Sequence, residues 1–163
     1  MKQDHVDRLI KQWQRQCPDI DCSPMGVIGR LSRVNRFISL QRQTIFESHG
    51  LNSTEFDILV VLRFSNHSLT PTEMYQTLFV SSGVMSTRIE RLVKRGWIER
   101  VASQRDRRSC KVKITSEGLV LIDQMVEQCL AAEKLLLEPF TEEEQDKINT
   151  ILRHWLFVNE PSF

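Results

Sequence analysis

A change of hydrophobic period between residues 81 and 114 constrains this chain more than any other feature. From Ser81 to Arg95 the apolar residues Met85, Ile89 and Leu92 recur at helical spacing, with Val93 at the edge of the stripe. Gly96 then stops the helix. Beyond it, Ile98 and Val101 lie near polar Glu99 and Arg100, while Cys110, Val112 and Ile114 alternate with Lys111 and Lys113. The run from 102 to 109 between them is polar, so the segment reads as a β-hairpin with a long basic tip.

The rest of the chain predicts helices. One spans about 3–16, with Val6, Leu9, Ile10 and Trp13 at helical spacing; Pro18 and the stretch from Asp19 to Pro24 break it. A long one follows over about 24–49, with the stripe Val27, Leu31, Val34, Ile38 and Ile45, and Gly50 sits where a helix end wants positive φ. Asn52 with Glu55 starts a helix carrying Phe56, Leu59, Val60 and Leu62. Thr70-Pro71-Thr72-Glu73 starts a short one with Met74 and Leu78. Thr115 caps a long helix to about Glu138, with Leu119, Ile122, Met125, Val126 and Cys129 on one face. Pro139 ends it, and Thr141 with Glu144 opens a last helix with Ile148, Ile151, Leu152 and Trp155.

Three helices followed by a two-stranded ribbon are the parts of a winged helix-turn-helix. The expected class is mainly α with a small β wing (α+β), in a single unit over 1–163. Within it, 1–50 supplies N-terminal helices for dimerisation and ligand, 51–115 the winged lobe, and 116–163 C-terminal dimerisation helices. The terminal helices are longer than one subunit of 163 residues needs for its own core, so a homodimer interface is expected there.

Net charge is +1, but its distribution is uneven. Residues 84–113 carry ten Lys or Arg against three Asp or Glu, and residues 114–163 carry three against ten. A basic helix-then-hairpin segment suits a polyanion. Hydrophobic content of 40% and charged content of 26% are ordinary for a folded soluble domain. No apolar run approaches a membrane span, and the N-terminus is polar, so the expected location is cytoplasmic. Cys17, Cys22, Cys110 and Cys129 form no C-x-x-C pair, which argues against a zinc site. No cofactor, metal or catalytic residue is expected: phosphate loop, G-x-S-x-G and nucleophile–base arrangement are all missing from the sequence.

Placed at about 100° per residue, the 81–95 helix buries Met85, Ile89 and Leu92 and turns Gly83, Thr87, Glu90 and Lys94 outward, with Ser86 beside them. Ser81, Ser82, Ser86 and Thr87 at its exposed N-terminal end suit base edges or phosphates in a major groove, and Gly83 permits close approach. At the hairpin tip Arg105, Arg107 and Arg108 surround Asp106, and guanidinium groups suit the potential of a narrow minor groove. Lys111 and Lys113 are expected to meet phosphates. A solvated helix face is the alternative for the serine-rich end, and the arginine tip is the stronger signal.

These residues resemble the MarR family of bacterial transcriptional regulators over nearly the full length. The match is densest from Val80 to Leu92, and continues through Lys94–Arg100, Asp106–Ser109 and Ile114-Thr115-Ser116-Glu117-Gly118. The resemblance implies a homodimer with two winged lobes on a pseudo-palindromic operator in double-stranded DNA, usually a repressor released by a small molecule or oxidant. It also makes Arg108 the minor-groove arginine and Asp106 its anchor. The extra N-terminal helix with Trp13, the Ser23–Val27 opening, Glu55-Phe56-Asp57, and Ser82-Gly83 with Arg88-Ile89 are similar to the urate-responsive branch typified by PecS and HucR. That similarity implies ligand sensing by Trp13, Asp57, Arg88 and Arg100, with urate or another aromatic anion as effector. Arg88 lies about 60° off the buried stripe, and Asp57 is its expected partner without ligand. Each position also has a plain reading, as core aromatic, cap or phosphate contact.

Two other functions remain open from sequence. A redox-sensing regulator of the same type would use Cys17 or Cys22, with Arg15 nearby. A non-specific architectural or protein-interaction winged helix would use the basic hairpin without reading sequence.

Overall fold

Helix starts in this chain are written locally, and the computed structural model, which describes residues 2–65, 67–102 and 110–160, follows them closely. The described residues form seven helices and one two-stranded sheet. These are α1 (His5–Gln16), α2 (Met25–Ser48), α3 (Ser53–Phe64), α4 (Pro71–Leu78), α5 (Ser82–Lys94), β1 (Ile98–Ala102), β2 (Cys110–Ile114), α6 (Ser116–Leu137) and α7 (Glu142–Asn159). Reciprocal capping boxes open α1, α3, α4 and α7 through Asp4/Asp7, Asn52/Glu55, Thr70/Glu73 and Thr141/Glu144. Gly50 takes φ +67° after α2, as its place at a helix end requires.

The wing is antiparallel, with Ile98 opposite Ile114 and Arg100 opposite Val112. Leu69 adds a bridge to Val112, donating and accepting one backbone hydrogen bond each way at 3.0 and 2.7 Å. This one residue ahead of α4 thus ties the wing to the helix-turn-helix. Thr115 fixes the other end: its hydroxyl donates to Gly96 O at 2.7 Å and accepts Gly118 N–H at 3.1 Å. Gly118 is required there, because an added Cβ would stand 2.1 Å from Trp97 O. The Thr-x-x-Gly pattern is therefore the joint between wing and α6.

The core sits where α3, α5, the wing and α6 meet. Ile58, Leu59, Met74, Met85, Ile89, Leu92, Val112, Ile122 and Met125 are fully buried. Each such side chain contributes about 1.5–3 kcal/mol of transfer free energy. The predicted stripe of α5 is the buried one, and the stripe of α6 buries Ile122, Met125 and Cys129. The stripe of α2 behaves differently. Val27 and Val34 are 61% and 54% exposed, and Phe46, outside the predicted stripe, is the buried residue of that helix. Helix α7 buries none of its residues within the chain.

Candidate nucleic-acid interface and effector pocket

The α5 N-terminus presents a small polar surface on the packed lobe. Ser81 caps the helix through its hydroxyl, which accepts Val84 N–H at 3.4 Å. Ser82, Gly83, Ser86 and Thr87 are all exposed. Thr87 donates its hydroxyl to Gly83 O at 3.0 Å, leaving the oxygen lone pairs outward. Nothing lies within 4 Å of where a Gly83 side chain would stand, so packing within the chain does not demand glycine there. On the wing, Lys113 is exposed and Lys111 half-buried. Arg105, Asp106, Arg107 and Arg108 lie outside the described residues.

Three arginines fasten the far flank of α5 to the corner between α2 and α3. Arg91 Nη2 donates to Gly50 O at 2.9 Å, and Arg95 Nη1 donates to His49 O at 3.4 Å. Arg95 also stacks over Trp97 at 4.8 Å. Arg88 Nη1 stands 3.7 Å from Glu55 Oε1, and Arg91 Nη1 stands 3.4 Å from the same oxygen. The carboxylate facing Arg88 is therefore Glu55, not the expected Asp57. Glu55 closes the capping box at the third helical position of α3, and its side chain is buried in the lobe; Asp57, two residues on, lines the angle between α2 and α3.

Asp57 lines a cavity of about 340 Å³ in the angle between α2 and α3, together with Ser39, Arg42, Gln43, Phe46 and Leu51. Its residue surface is exposed at the rim, yet partial burial of the carboxyl pushes its pKa up, while Arg42 pulls weakly downward. Arg42 Nε in turn donates to Glu133 Oε1 of α6 at 2.9 Å. Of the four residues expected at a ligand site, only Asp57 lines this cavity. Trp13 lies on α1 with nearly half its surface exposed. Arg100 lies on β1, with Nη2 4.0 Å from Glu90 Oε1 and Nη1 3.8 Å from Cys110 Sγ. Arg42 and Phe46 were not singled out from the sequence. An arginine and an aromatic one helical turn apart on the same helix were the signal available for them. All four cysteines are free thiols, Cys22 and Cys129 buried, Cys17 and Cys110 partly so.

A capped helix presented by a three-helix core, backed by a two-stranded wing, defines a winged helix-turn-helix. Comparison with known proteins gives the family. A MarR family model matches residues 49–109. The HTH-type transcriptional regulator PecS of Dickeya dadantii (strain 3937) is 35% identical over 149 residues, covering 90% of each chain. The transcriptional repressor MprA of Escherichia coli (strain K12) is 32% identical over 117 residues, covering 71% of this chain and 66% of MprA. Wild-type apo MarR from E. coli superposes with a TM-score of 0.71 at 25% identity, over 79% of this chain and 96% of that one. A MarR mutant from E. coli solved in complex with operator DNA shares the fold, with a TM-score of 0.70 at 22% identity over 88% and 97% of the chains. The chain belongs to the MarR family, as a transcriptional regulator rather than an enzyme. Among the described residues no helix is long and apolar enough to cross a membrane.

Proposed function

We propose that this regulator works as a homodimer that reads a pseudo-palindromic operator, α5 in the major groove and the wing in the adjacent minor groove. It represses until a small aromatic anion such as urate is bound. The observation that carries the DNA reading is the exposed Ser82–Thr87 face of α5 on a fully packed lobe. Open space at Gly83 supports close approach of a phosphate backbone there. In this reading Ser81, Ser82, Gly83, Ser86 and Thr87 meet bases and phosphates, Lys111 and Lys113 hold phosphates, and Arg105–Arg108 enter the minor groove, with Asp106 as the anchor of Arg108. The apolar faces of α1, α2 and α7 suit a second copy of the chain, and the MarR–operator complex is a precedent on the same fold.

The effector reading is supported by the α2–α3 cavity. Its volume suits a small molecule. Phe46, stacked on Phe56 behind it, contributes an aromatic side chain to the lining, and Arg42 a cation that an incoming anion can take from Glu133. Asp57 sets the cost, since its ionised form repels an anion. Trp13, Arg88 and Arg100 act from outside the cavity of one chain in this reading. The test is affinity for duplex from upstream of its own gene against a scrambled duplex at one salt concentration, with and without urate. Tighter binding to the first, lost on adding urate, is expected. Equal affinity for both contradicts sequence reading, and urate-insensitive binding contradicts the effector.

A further inference from the structure

Glu55 is the one charged side chain fully buried among the described residues, at 0% exposure. Burying a carboxylate is costly unless it is paired and hydrogen-bonded. Its capping role does not account for the burial. The other three boxes close equally well at solvent-accessible positions, through Asp7, Glu73 and Glu144. In the Glu55 box only Oε2 is used, accepting Asn52 N–H at 3.0 Å. Oε1 points instead to Arg88 and Arg91, at 3.7 and 3.4 Å. Both distances exceed a charge-assisted hydrogen bond. Among the described residues, Oε1 and Arg88 Nε are buried without a hydrogen-bond partner. One buried carboxylate thus faces two guanidinium groups of α5 through charge alone.

We propose that Glu55 is a positioning residue for operator recognition, setting the rotation and depth of α5 through Arg88 and Arg91. The inference rests on the reading of α5 as the helix that meets base edges. Met85, Ile89 and Leu92 hold α5 against the core, but an apolar contact resists rotation weakly because it is non-directional. Arg88, Arg91 and Arg95 occupy one flank of that stripe. Glu55, Gly50 O and His49 O pull on this flank from the α2–α3 corner. A pull on one side fixes rotation, and rotation decides which of Ser82, Gly83 and Ser86 faces a groove.

Glu55→Gln tests this, because the amide keeps the shape and an oxygen for Asn52 N–H and removes the charge. Operator affinity and affinity for scrambled duplex are measured at one salt concentration on protein shown to be folded by circular dichroism. Glu55→Gln is expected to lower operator affinity about tenfold, the scale of one lost base contact, and to leave scrambled-duplex affinity within about twofold. Arg91→Gln is expected to lower the same ratio, and the double variant to lose no more than the larger single loss. A folded Glu55→Gln with unchanged discrimination overturns the proposal, as does a parallel loss on both duplexes. If Glu55→Gln does not fold, Arg91→Gln decides by the same ratio. A parent protein that itself fails to discriminate removes the α5 reading and this proposal together, whereas a discriminating parent with an unchanged variant removes this proposal alone.

Discussion

The winged lobe and the last helix carry similar apolar patterns and use them differently. From α3 to β2 the stripe residues vanish into one chain: Leu59, Met74, Met85, Ile89, Leu92 and Val112 are all fully buried. Helix α7 has as clear a stripe in Ile148, Ile151, Leu152 and Trp155, yet buries none of it. Helix α2 lies between, burying Phe46 and exposing Val27 and Val34. Periodicity reports that a face is apolar; it does not report whose surface covers it. The lobe's stripes are covered within the chain, with Phe46 of α2 and Ile122, Met125 and Cys129 of α6 completing the core. The apolar face of α7 is left uncovered by its own chain, and it is the face that the proposed dimer would use.

The comparison breaks most directly in α7. Leu152→Asp with Trp155→Asp is expected to convert the proposed dimer to folded monomer, read as particle mass by light scattering. Operator affinity should fall by about a hundredfold, as two linked half-site contacts become one. An unchanged mass would show that this face is not the interface. Two glycines, Gly83 in the lobe and Gly118 at the joint with α6, sharpen the contrast. Gly118→Ala forces a Cβ onto Trp97 O and is expected to cost about 3 kcal/mol, visible as a thermal midpoint lower by about 10 °C. Gly83→Ala meets open space, so it should gain up to about 1 kcal/mol in helix propensity while weakening operator binding. A stable Gly83→Ala protein that binds like the parent would argue against close approach of DNA at that position.

Arg108→Ala addresses the wing tip. If it removes one phosphate-like charge contact, the slope of log affinity against log salt should fall by about one. The smallest effect is expected at Asp57. Its carboxyl is pushed up by partial burial, so the native chain holds that proton more tightly than the unfolded one. The associated stability is present below the unfolded pKa and is lost as pH rises through the folded value. Asp57→Asn should therefore be no less stable than the parent at neutral pH. It should also flatten a rise in urate affinity on mild acidification, measured by calorimetry, because protonated Asp57 no longer repels an anion.

What was legible in the sequence follows the range of the interactions. Helix starts are local, and Asn52/Glu55, Thr70-Pro71/Glu73 and Thr141/Glu144 form the boxes they spell. The outward face of α5 is also local, fixed by helical geometry once Met85, Ile89 and Leu92 are inside. The Leu69 bridge to Val112 was not legible, since one extended residue has no period. The carboxylate that faces Arg88 is Glu55 rather than the expected Asp57, and here the difficulty is of another kind. Glu55 and Asp57 are both acidic and two residues apart, and capping gives no hint that Glu55 is the one turned into the core. The cavity between α2 and α3 joins Arg42 and Phe46 to Asp57 across a turn, a juxtaposition made only by the fold.

A footprint on the DNA upstream of its own gene tests the central claim most directly. Two equivalent protected half-sites are expected, related by a two-fold axis and about one helical turn apart centre to centre. A single unpaired patch, or protection that ignores sequence and spreads evenly along the duplex, would contradict a two-lobed reader built from α5 and the wing.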